Sequence, residues 1–191
     1  MSGAHEPSEV LAGARRIAVL GPSGSGKSFV ATRLAEITGL PLIHLDRLAY
    51  GPGWRETDPG ELLRIHRELL DEPAWVIDGN YTNVDKAGRI RRADLVGVLA
   101  LPRRTCLRRI LRRQTLNFGR GRPDMAAGCV ERFDLGFLRF CWNWHRRHPD
   151  YGQEIISQAG SARVIVLRSR READEFLDRT AGQVAQCGRN G

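Results

Sequence analysis

The stretch RIAVLGPSGSGKSFVATRLA, residues 16–35, decides the fold. After Arg16 it is apolar as far as Leu20, and it then enters a loop that carries three glycines, a proline and a single lysine. Beyond this loop, Val30, Leu34 and Ile37 recur at helical spacing. An apolar run, a bare loop and a helical pattern in this order predict a strand–loop–helix unit, with the loop at the carboxyl end of a buried strand.

The loop matches the pattern G-x-x-x-x-G-K-[ST] over residues 21–28. Glycines let successive backbone N–H groups converge on phosphate oxygens, and the helix N-terminus adds a partial positive charge. We therefore expect ATP and Mg²⁺ as cofactors, with Lys27 on the β- and γ-phosphates and Ser28 on the metal. The alternative is a glycine-rich turn that binds nothing. The expected cofactor contacts are Gly21, Pro22, Ser23, Gly24, Ser25, Gly26, Lys27, Ser28 and Phe29.

Size and composition predict one folded domain. Of 191 residues, 41% are hydrophobic and 27% are charged, as in globular proteins. We expect a flexible leader over residues 1–14, a domain over 15–185 and a flexible tail over 186–191. The longest apolar run, LVGVLALP, is far shorter than the roughly 20 residues that span a membrane. Four dispersed cysteines without an export signal favour reduced thiols and a cytoplasmic location.

The positive charge is concentrated in one segment. The formal net charge is +8, and among thirty basic residues only Lys27 and Lys86 are lysines. Residues 103–147 hold twelve arginines against three acidic residues. Guanidinium groups suit anionic partners, so this segment is expected to meet phosphates.

Apolar runs alternate with helical patterns along the chain, which predicts an α/β sheet with crossover helices. The expected strands are RRIAVLG, LPLIHLD, AWVIDG, ADLVGVLAL and ARVIVLRS. Helices are expected after the glycine-rich loop, over 58–71 with Asp58 and Pro59 at its start, over about 84–92, 104–116 and 133–148, and from about Arg171.

Two expected strands end in an acid, Asp46 in LIHLD and Asp78 in WVIDG. Because the carboxyl ends of parallel strands meet at one crevice, both acids should lie near the nucleotide. We assign Asp46 as the base or acceptor contact and Asp78 as the metal-side carboxylate, and the two roles could be exchanged. The alternative for each is a carboxylate that only caps a turn.

The loops after these strands offer groups for a small acceptor molecule. Besides the two acids, the expected acceptor contacts are Arg47, Trp54, Asn80 and Tyr81. For Trp54 and Tyr81, a purely structural role is the alternative, since aromatic residues often anchor loops.

The helix over 104–116 is expected to bury Leu107, Ile110 and Leu111 and to turn its arginines to a cleft or to solvent. The glycine-rich segment that follows reads as a mobile flap. Arg120 and Arg122 in the flap are expected to stabilise the transferred phosphoryl group, with Arg112 and Arg113 at its base and Arg112 on the cofactor. A solvated basic face is the alternative. A loop near Arg168, after the last strand, is expected to meet the nucleotide base.

The helix over 133–148 places Phe137, Phe140 and Trp144 on one stripe. Cys141, His145 and His148 could form a metal-binding face. Without a fourth ligand, a packed cysteine and surface histidines are the favoured interpretation, and we expect no structural zinc.

Taken together, the ordered motifs resemble the topology modulation protein family, an adenylate kinase-like branch of P-loop proteins. The matching segments are GPSGSGKS, LPLIHLDRLAYGPGW followed by WVIDGNY, GRGRPDMAAGCVERFD and VLRSRREADEFL. The resemblance implies an ATP-binding, kinase-like P-loop NTPase fold of three α/β/α layers, with a five-stranded parallel sheet of order 2-3-1-4-5. It also implies an arginine-bearing lid over about 117–132.

The residues support three functions. The first is an ATP- and Mg²⁺-dependent kinase of a nucleoside, nucleotide or other small molecule, with a hydroxyl acceptor favoured over a phosphate. The second is a nucleotide-regulated nucleic-acid-binding protein that affects DNA topology, for which the basic segment is the evidence and the absence of a known binding motif the counter-evidence. The third is a nucleotide-binding protein without catalysis. The acceptor, the choice of ATP over GTP and the oligomeric state stay open.

Overall fold

A computed structural model describes residues 13–81, 84–121 and 123–187. The strands are β1 (Arg16–Leu20), β2 (Leu42–His44), β3 (Tyr50–Gly51), β4 (Arg55–Glu56), β5 (Trp75–Asp78), β6 (Leu95–Leu99) and β7 (Arg163–Leu167). The helices are α1 (Lys27–Thr38), α2 (Leu45–Ala49), α3 (Pro59–Asp71), α4 (Lys86–Arg92), α5 (Arg103–Leu116), α6 (Leu135–Arg147), α7 (Tyr151–Gln158) and α8 (Arg170–Cys187). The predicted leader lies outside the described residues as far as residue 12, and the predicted tail from 188 onward.

The main sheet is parallel and has the order β2-β5-β1-β6-β7. Counted along the chain within this sheet, the order is 2-3-1-4-5, which confirms the prediction. β1 is central, with Val19 opposite Asp78 on one side and opposite Gly97 on the other. The loop after β1 therefore starts beside the end of β5, where an acid was expected.

The core lies on both faces of the sheet because β1 is covered on both sides. Ile17 and Val19 pack with residues of α1 and α8, whereas Ala18 and Leu20 pack with residues of α4 and α7. Each of these four β1 side chains is fully buried. A strand covered on both faces reads as a continuous apolar run, which is why β1 was predictable.

Several predicted boundaries are confirmed. α3 begins after Asp58, whose carboxylate accepts hydrogen bonds from the Gly60 and Glu61 N–H groups, and Pro59 is its first residue. α1 ends at Gly39, which adopts the left-handed conformation with φ of 70°. α8 continues to Cys187, two residues into the range predicted as tail.

Other elements differ from the prediction. β2 stops at His44, and LDRLA forms the short helix α2, so Asp46 lies in the first turn of a helix and not at a strand end. A small antiparallel hairpin, β3–β4, follows it. α7 was not predicted, although Asp150 caps it by accepting a hydrogen bond from the Gln153 N–H.

The buried face of α5 also differs from the prediction. Cys106, Ile110 and Gln114 are buried, whereas Leu111 is 41% exposed. The helix is rotated relative to the expectation because its buried face packs on the glycine-rich loop: the Cys106 carbonyl and Ile110 lie where a side chain at position 24 would be. Among the described helices, none is long and apolar enough to cross a membrane.

Candidate active site

The loop over residues 21–28 is shaped by its glycines. Gly24 has φ of 79° and Gly26 has φ of 97°, values that residues with a Cβ rarely adopt. A Cβ on Gly24 would lie 2.5 Å from the carbonyl oxygen of Cys106. Only glycine therefore fits at position 24, where the loop passes directly over α5.

The N-terminus of α1 faces the cavity with its backbone donors. Gly26 is the N-cap and offers no side-chain hydrogen bond to the first turn. The guanidinium of Arg109 donates to the Ser25 carbonyl at 2.8 Å and so places a further positive charge beside the loop. Lys27 and Ser28 line the cavity at this end. The arrangement is suited to an anion held by backbone N–H groups and a helix N-terminus.

A cavity of about 820 Å³ adjoins the loop. Of the six Phe, four Trp and three Tyr in the chain, seven contribute to its wall. These are Phe29, Tyr50, Trp54, Tyr81, Phe137, Phe140 and Trp144. The structure thus places the predicted aromatic stripe of α6 in the cavity wall. The rest of the wall includes residues of the glycine-rich loop, the β3–β4 hairpin and the segment after β5.

Asp46 lies on the wall of this cavity and is half-buried. It is hydrogen-bonded to the Tyr81 hydroxyl, which in turn contacts the Tyr50 hydroxyl. Burial, with the charge of Asp46 adding to it, raises the pKa of Tyr81, so this phenol stays protonated. Tyr81 therefore acts as a donor to Asp46 and fixes the orientation of the carboxylate.

Asp78 is placed differently from Asp46. It is 1% exposed and does not line the cavity. His44 Nδ1 lies 3.2 Å from one carboxylate oxygen without hydrogen-bond geometry, and neither oxygen of Asp78 has a hydrogen-bond partner among the described residues. A buried carboxylate without donors, at the strand end beside the loop, fits a site near a cation.

Asn80 connects three elements at the entrance of the loop. Its side-chain oxygen accepts hydrogen bonds from the Gly21 N–H and from the Tyr151 hydroxyl, each at 3.0 Å. Both carbonyls of Gly79 and Asn80 accept hydrogen bonds from the buried guanidinium of Arg89. Asn80, predicted as an acceptor contact, lines the cavity, and its side-chain oxygen is engaged at the start of the glycine-rich loop.

The segment predicted as a mobile flap is docked on the β3–β4 hairpin. The Trp54 indole N–H donates to the Val130 carbonyl at 2.9 Å, and the Gly53 N–H donates to the Gly128 carbonyl at 3.2 Å. Met125 and Cys129 are buried within the segment, although its described residues form no helix. The flap therefore forms part of the cavity wall.

The structure brings some of the predicted arginines to the cavity and not others. Arg113 lines it and pairs with the buried Glu131 at 3.0 Å. Arg112 and Arg120 are exposed and do not line it, and Arg122 lies outside the described residues. Arg112 points away because the rotation of α5 turns Arg109 and Arg113 inward instead.

Arg47 and Arg168 are also exposed and away from the cavity. The N–H of Arg168 donates to Glu172 at the start of α8. Its neighbour Arg170 lies over the ring of Phe29 at 5.2 Å. The loop expected near the nucleotide base therefore reaches the predicted cofactor contact Phe29 through Arg170 and not through Arg168.

The histidines of α6 have partners other than a metal. His145 contacts the Leu101 carbonyl, and His148 Nδ1 lies 2.6 Å from Glu154, which also contacts Lys86. Burial opposes ionisation of Glu154, but the hydrogen bonds from His148 and Lys86 outweigh it and lower its pKa. In the described part of the chain, no group of three or more His, Cys, Asp or Glu could hold a metal ion.

Sequence reasoning did not place Arg132 or His148 at the cavity or Arg89 behind it, and it put Arg109 only on a helix face that meets a cleft or solvent. The spacing of Arg109 and Arg113, four residues apart on one helix face, was a readable signal. Arg89 gave no such signal, since an arginine in a short basic helix is normally exposed.

No family model and no curated protein matches the chain. Solved structures do match. Shikimate kinase from Acinetobacter baumannii in complex with shikimate matches with a TM-score of 0.57 and 17% identity, over 94% of this chain and 98% of that chain. The chain has a P-loop kinase fold. The predicted kinase-like fold is thus confirmed, whereas membership of the topology modulation protein family stays a prediction.

Further kinase structures match this P-loop fold less closely. A gluconokinase from Sinorhizobium meliloti matches with a TM-score of 0.47 and 19% identity, over 92% of this chain and 94% of that chain. A shikimate kinase from Bacteroides thetaiotaomicron matches with a TM-score of 0.49 and 16% identity, over 90% of this chain and 99% of that chain. Both matches span nearly the full length of each chain.

Proposed function

We propose that the protein is a kinase that transfers the γ-phosphoryl group of MgATP to a hydroxyl group of a small molecule. The observation that carries this proposal is that one cavity holds both the phosphate-binding loop and the carboxylate of Asp46. Phosphoryl transfer depends on positioning and on charge stabilisation, and both needs are met by residues of this cavity wall.

The nucleotide is assigned to the loop end of the cavity. Backbone N–H groups of the loop and Lys27 would hold the β- and γ-phosphates, with Arg109 and Arg113 adding positive charge where the transferred group lies. Phe29 and Arg170 would flank the base. Arg120, which does not line the cavity, and Arg122, which lies outside the described residues, are given no role in this proposal.

The Mg²⁺ ion is assigned to Ser28 and the side of Asp78. When bound, the ion neutralises charge that develops between the β- and γ-phosphates. The Ser28 hydroxyl lines the cavity, and the two unpartnered oxygens of Asp78 supply negative charge beside the loop. Asp78 is buried, whereas Asp46 is exposed to the cavity. This difference favours Asp46 as the base and Asp78 as the metal-side carboxylate over the reverse assignment.

The acceptor is assigned to the space between Asp46, Trp54 and Tyr81. Its hydroxyl oxygen attacks the γ-phosphorus, the bond from that phosphorus to the bridging oxygen breaks, and ADP leaves with the electron pair. The hydroxyl proton passes to the Asp46 carboxylate, which Tyr81 orients. The kinases whose structures match include one bound to shikimate, a hydroxylated small molecule, which agrees with a hydroxyl acceptor.

The nucleic-acid alternative is not proposed. Part of the basic segment is already engaged at the cavity, because Arg109, Arg113, Arg132 and Arg147 line it. Arginines that face a bound triphosphate leave less charge for a duplex. Nothing in the described residues favours nucleic acid over nucleotide as the anionic partner.

The test is a screen for ATP turnover with a library of nucleosides, sugars and hydroxylated cofactors. We expect one class of compound to stimulate ADP formation, and both Lys27→Ala and Asp46→Asn to abolish the stimulation. Asp71→Asn, which neutralises an exposed acid of α3, is the matched control and should behave as wild type. A library without any stimulation would count against the proposal.

A further inference from the structure

We infer that Arg89 is a positioning residue, which fixes the segment 78–81 from behind and thereby sets the entrance of the phosphate-binding loop. The inference rests on the proposed function only in taking MgATP as the ligand of that loop. Arg89 does not line the cavity, and its side-chain hydrogen bonds to the described residues go to His66, Gly79 and Asn80, so we route its effect on the ligand through Asn80.

Arg89 is a charged group in the protein interior. It is fully buried on α4, and burial lowers its pKa to about 10, which leaves it protonated at neutral pH. Burying a guanidinium is costly unless its N–H groups are satisfied. Its hydrogen-bond partners among the described residues are neutral acceptors, and two of the three are backbone carbonyls that follow β5.

The guanidinium acts as a fork between α3 and the end of β5. Nη2 donates to the Gly79 carbonyl at 2.8 Å and to the Asn80 carbonyl at 3.2 Å. Nη1 lies 3.0 Å from His66 Nε2. Burial, together with the charge of Arg89, lowers the pKa of His66 to about 4, so the ring is neutral and accepts at Nε2. One planar group therefore holds three acceptors at fixed angles.

The segment held by this fork carries consecutive site residues. Asp78 is the metal-side acid, Asn80 accepts from the Gly21 N–H, and Tyr81 donates to Asp46. Gly79, which lies between them, has φ of 129°, a conformation that favours glycine. Since glycine has no side chain, packing at position 79 cannot fix the segment. Arg89 thus holds the backbone carbonyl of Asn80, and the side-chain oxygen of the same residue accepts from the Gly21 N–H at the start of the loop.

A lysine could not replace this arginine. Its single ammonium lacks the planar fork that reaches the two carbonyls and His66 together. Arg89→Lys keeps the charge but loosens the carbonyls, so the side chain of Asn80 should lose its fixed position against Gly21. Arg91→Lys, on the exposed side of the same helix, is the matched control.

The test is a double-mutant cycle on MgATP affinity, measured by titration calorimetry on the full chain. We expect Arg89→Lys and Asn80→Ala each to weaken MgATP binding about tenfold, and the double variant to be weakened only about 10- to 20-fold, because both act through one contact. Arg91→Lys should bind as wild type. A double variant weakened by about 100-fold, or Arg89→Lys with wild-type affinity, would overturn the inference.

A second readout separates this inference from the proposed function. In nucleotide-free protein, amide exchange of the Gly21 N–H should be about tenfold faster in Arg89→Lys and in Asn80→Ala than in wild type, and unchanged in Arg91→Lys. Wild-type protein that binds no MgATP would count against the proposed function alone, and this exchange rate would then decide the role of Arg89. If Arg89→Lys does not fold, His66→Gln is the substitute variant, because it removes only one of the three acceptors of the guanidinium. It should speed amide exchange of the Gly21 N–H about threefold, and an unchanged exchange rate would refute the inference.

Discussion

The two ends of the cavity are built from different chemistry. At the end proposed to hold phosphate, main-chain groups would do the binding, and the requirement is conformational: Gly24 and Gly26 have positive φ, and position 24 has no room for a Cβ. At the end proposed for the acceptor, side chains would make the contacts, and Asp46, Trp54 and Tyr81 come from separate elements. Because different groups form the two ends, nucleotide binding and acceptor chemistry should be separable by mutation.

The largest expected effect is on the chemistry at the acceptor end. Asp46→Asn removes the proton acceptor but keeps the shape of the side chain, so acceptor-stimulated turnover should fall by about a thousandfold, within the usual range for a general base. MgATP affinity should stay within about twofold of wild type. Steady-state kinetics and calorimetry on the same preparation check both, and an equal loss of affinity would contradict the separation of the two ends.

A substitution at the phosphate end should affect stability as well as binding. In Gly24→Ala, the new Cβ meets the Cys106 carbonyl at 2.5 Å, and φ of 79° is strained, so we expect a loss of about 3 kcal/mol in the free energy of unfolding.

Gly119→Ala is the control for that substitution. Gly119 has a similar φ of 73°, but a Cβ there would meet nothing within 4 Å. It should lose only about 1 kcal/mol, the cost of the backbone conformation alone. Urea unfolding of both variants measures the difference, and equal losses would show that the contact with α5 contributes nothing.

Behind the two ends, His66 makes stability depend on pH. Its pKa is lowered from 6.5 to about 4 in the folded chain, by burial and then by Arg89. The unfolded chain therefore binds the proton first, so this contribution is complete above pH 6.5 and is lost as the pH falls toward 4. The loss should approach 3 kcal/mol, about 1.4 kcal/mol for each pH unit in that window.

Urea unfolding between pH 7.5 and pH 4 measures this loss. Carboxylates also titrate toward the acid end, so His66→Gln is the reference: its stability should decline less than that of wild type between pH 6.5 and pH 4.5. Parallel declines in the two proteins would mean that His66 is not held neutral.

The smallest expected effect concerns the lid contact. Trp54→Phe keeps an aromatic ring beside Tyr50 but removes the hydrogen bond to the Val130 carbonyl. We expect the KM of the acceptor to rise about three- to fivefold, as for a net loss of about 1 kcal/mol, with MgATP affinity unchanged. Trp142→Phe, on an exposed part of α6, is the control. An effect on MgATP instead of the acceptor would place Trp54 at the wrong end of the cavity.

The phosphate end could be predicted from sequence because its determinants are contiguous. Residues 16–35 contain the strand, the glycines with positive φ and the start of α1, and no distant contact is needed to recognise them. β5 and β6 were also predictable, since buried strands of a parallel sheet are largely apolar, and the partly buried β7 was predictable from its apolar run after Arg163.

The acceptor end could be predicted only in part because it depends on contacts between distant segments. Asp46 was predicted to lie near the nucleotide, but helix α2, which carries it, was not predicted. The segment up to Leu45 is mostly apolar and so resembles a strand. Helix α5 was predicted, but the face that it buries was predicted wrongly. Leu111 is exposed and Arg109 faces inward because α5 packs on a loop and not on a sheet. The burial of Arg89 depends on carbonyls whose position no local pattern encodes.

Calorimetric titration of MgATP into wild type, Lys27→Ala and Asp46→Asn tests the central claim most directly. We expect saturable binding to wild type and to Asp46→Asn with similar affinity, and at least a hundredfold weaker binding to Lys27→Ala. Wild-type protein that gives no binding heat and protects no loop amide, or a Lys27→Ala variant that binds as wild type, would contradict it.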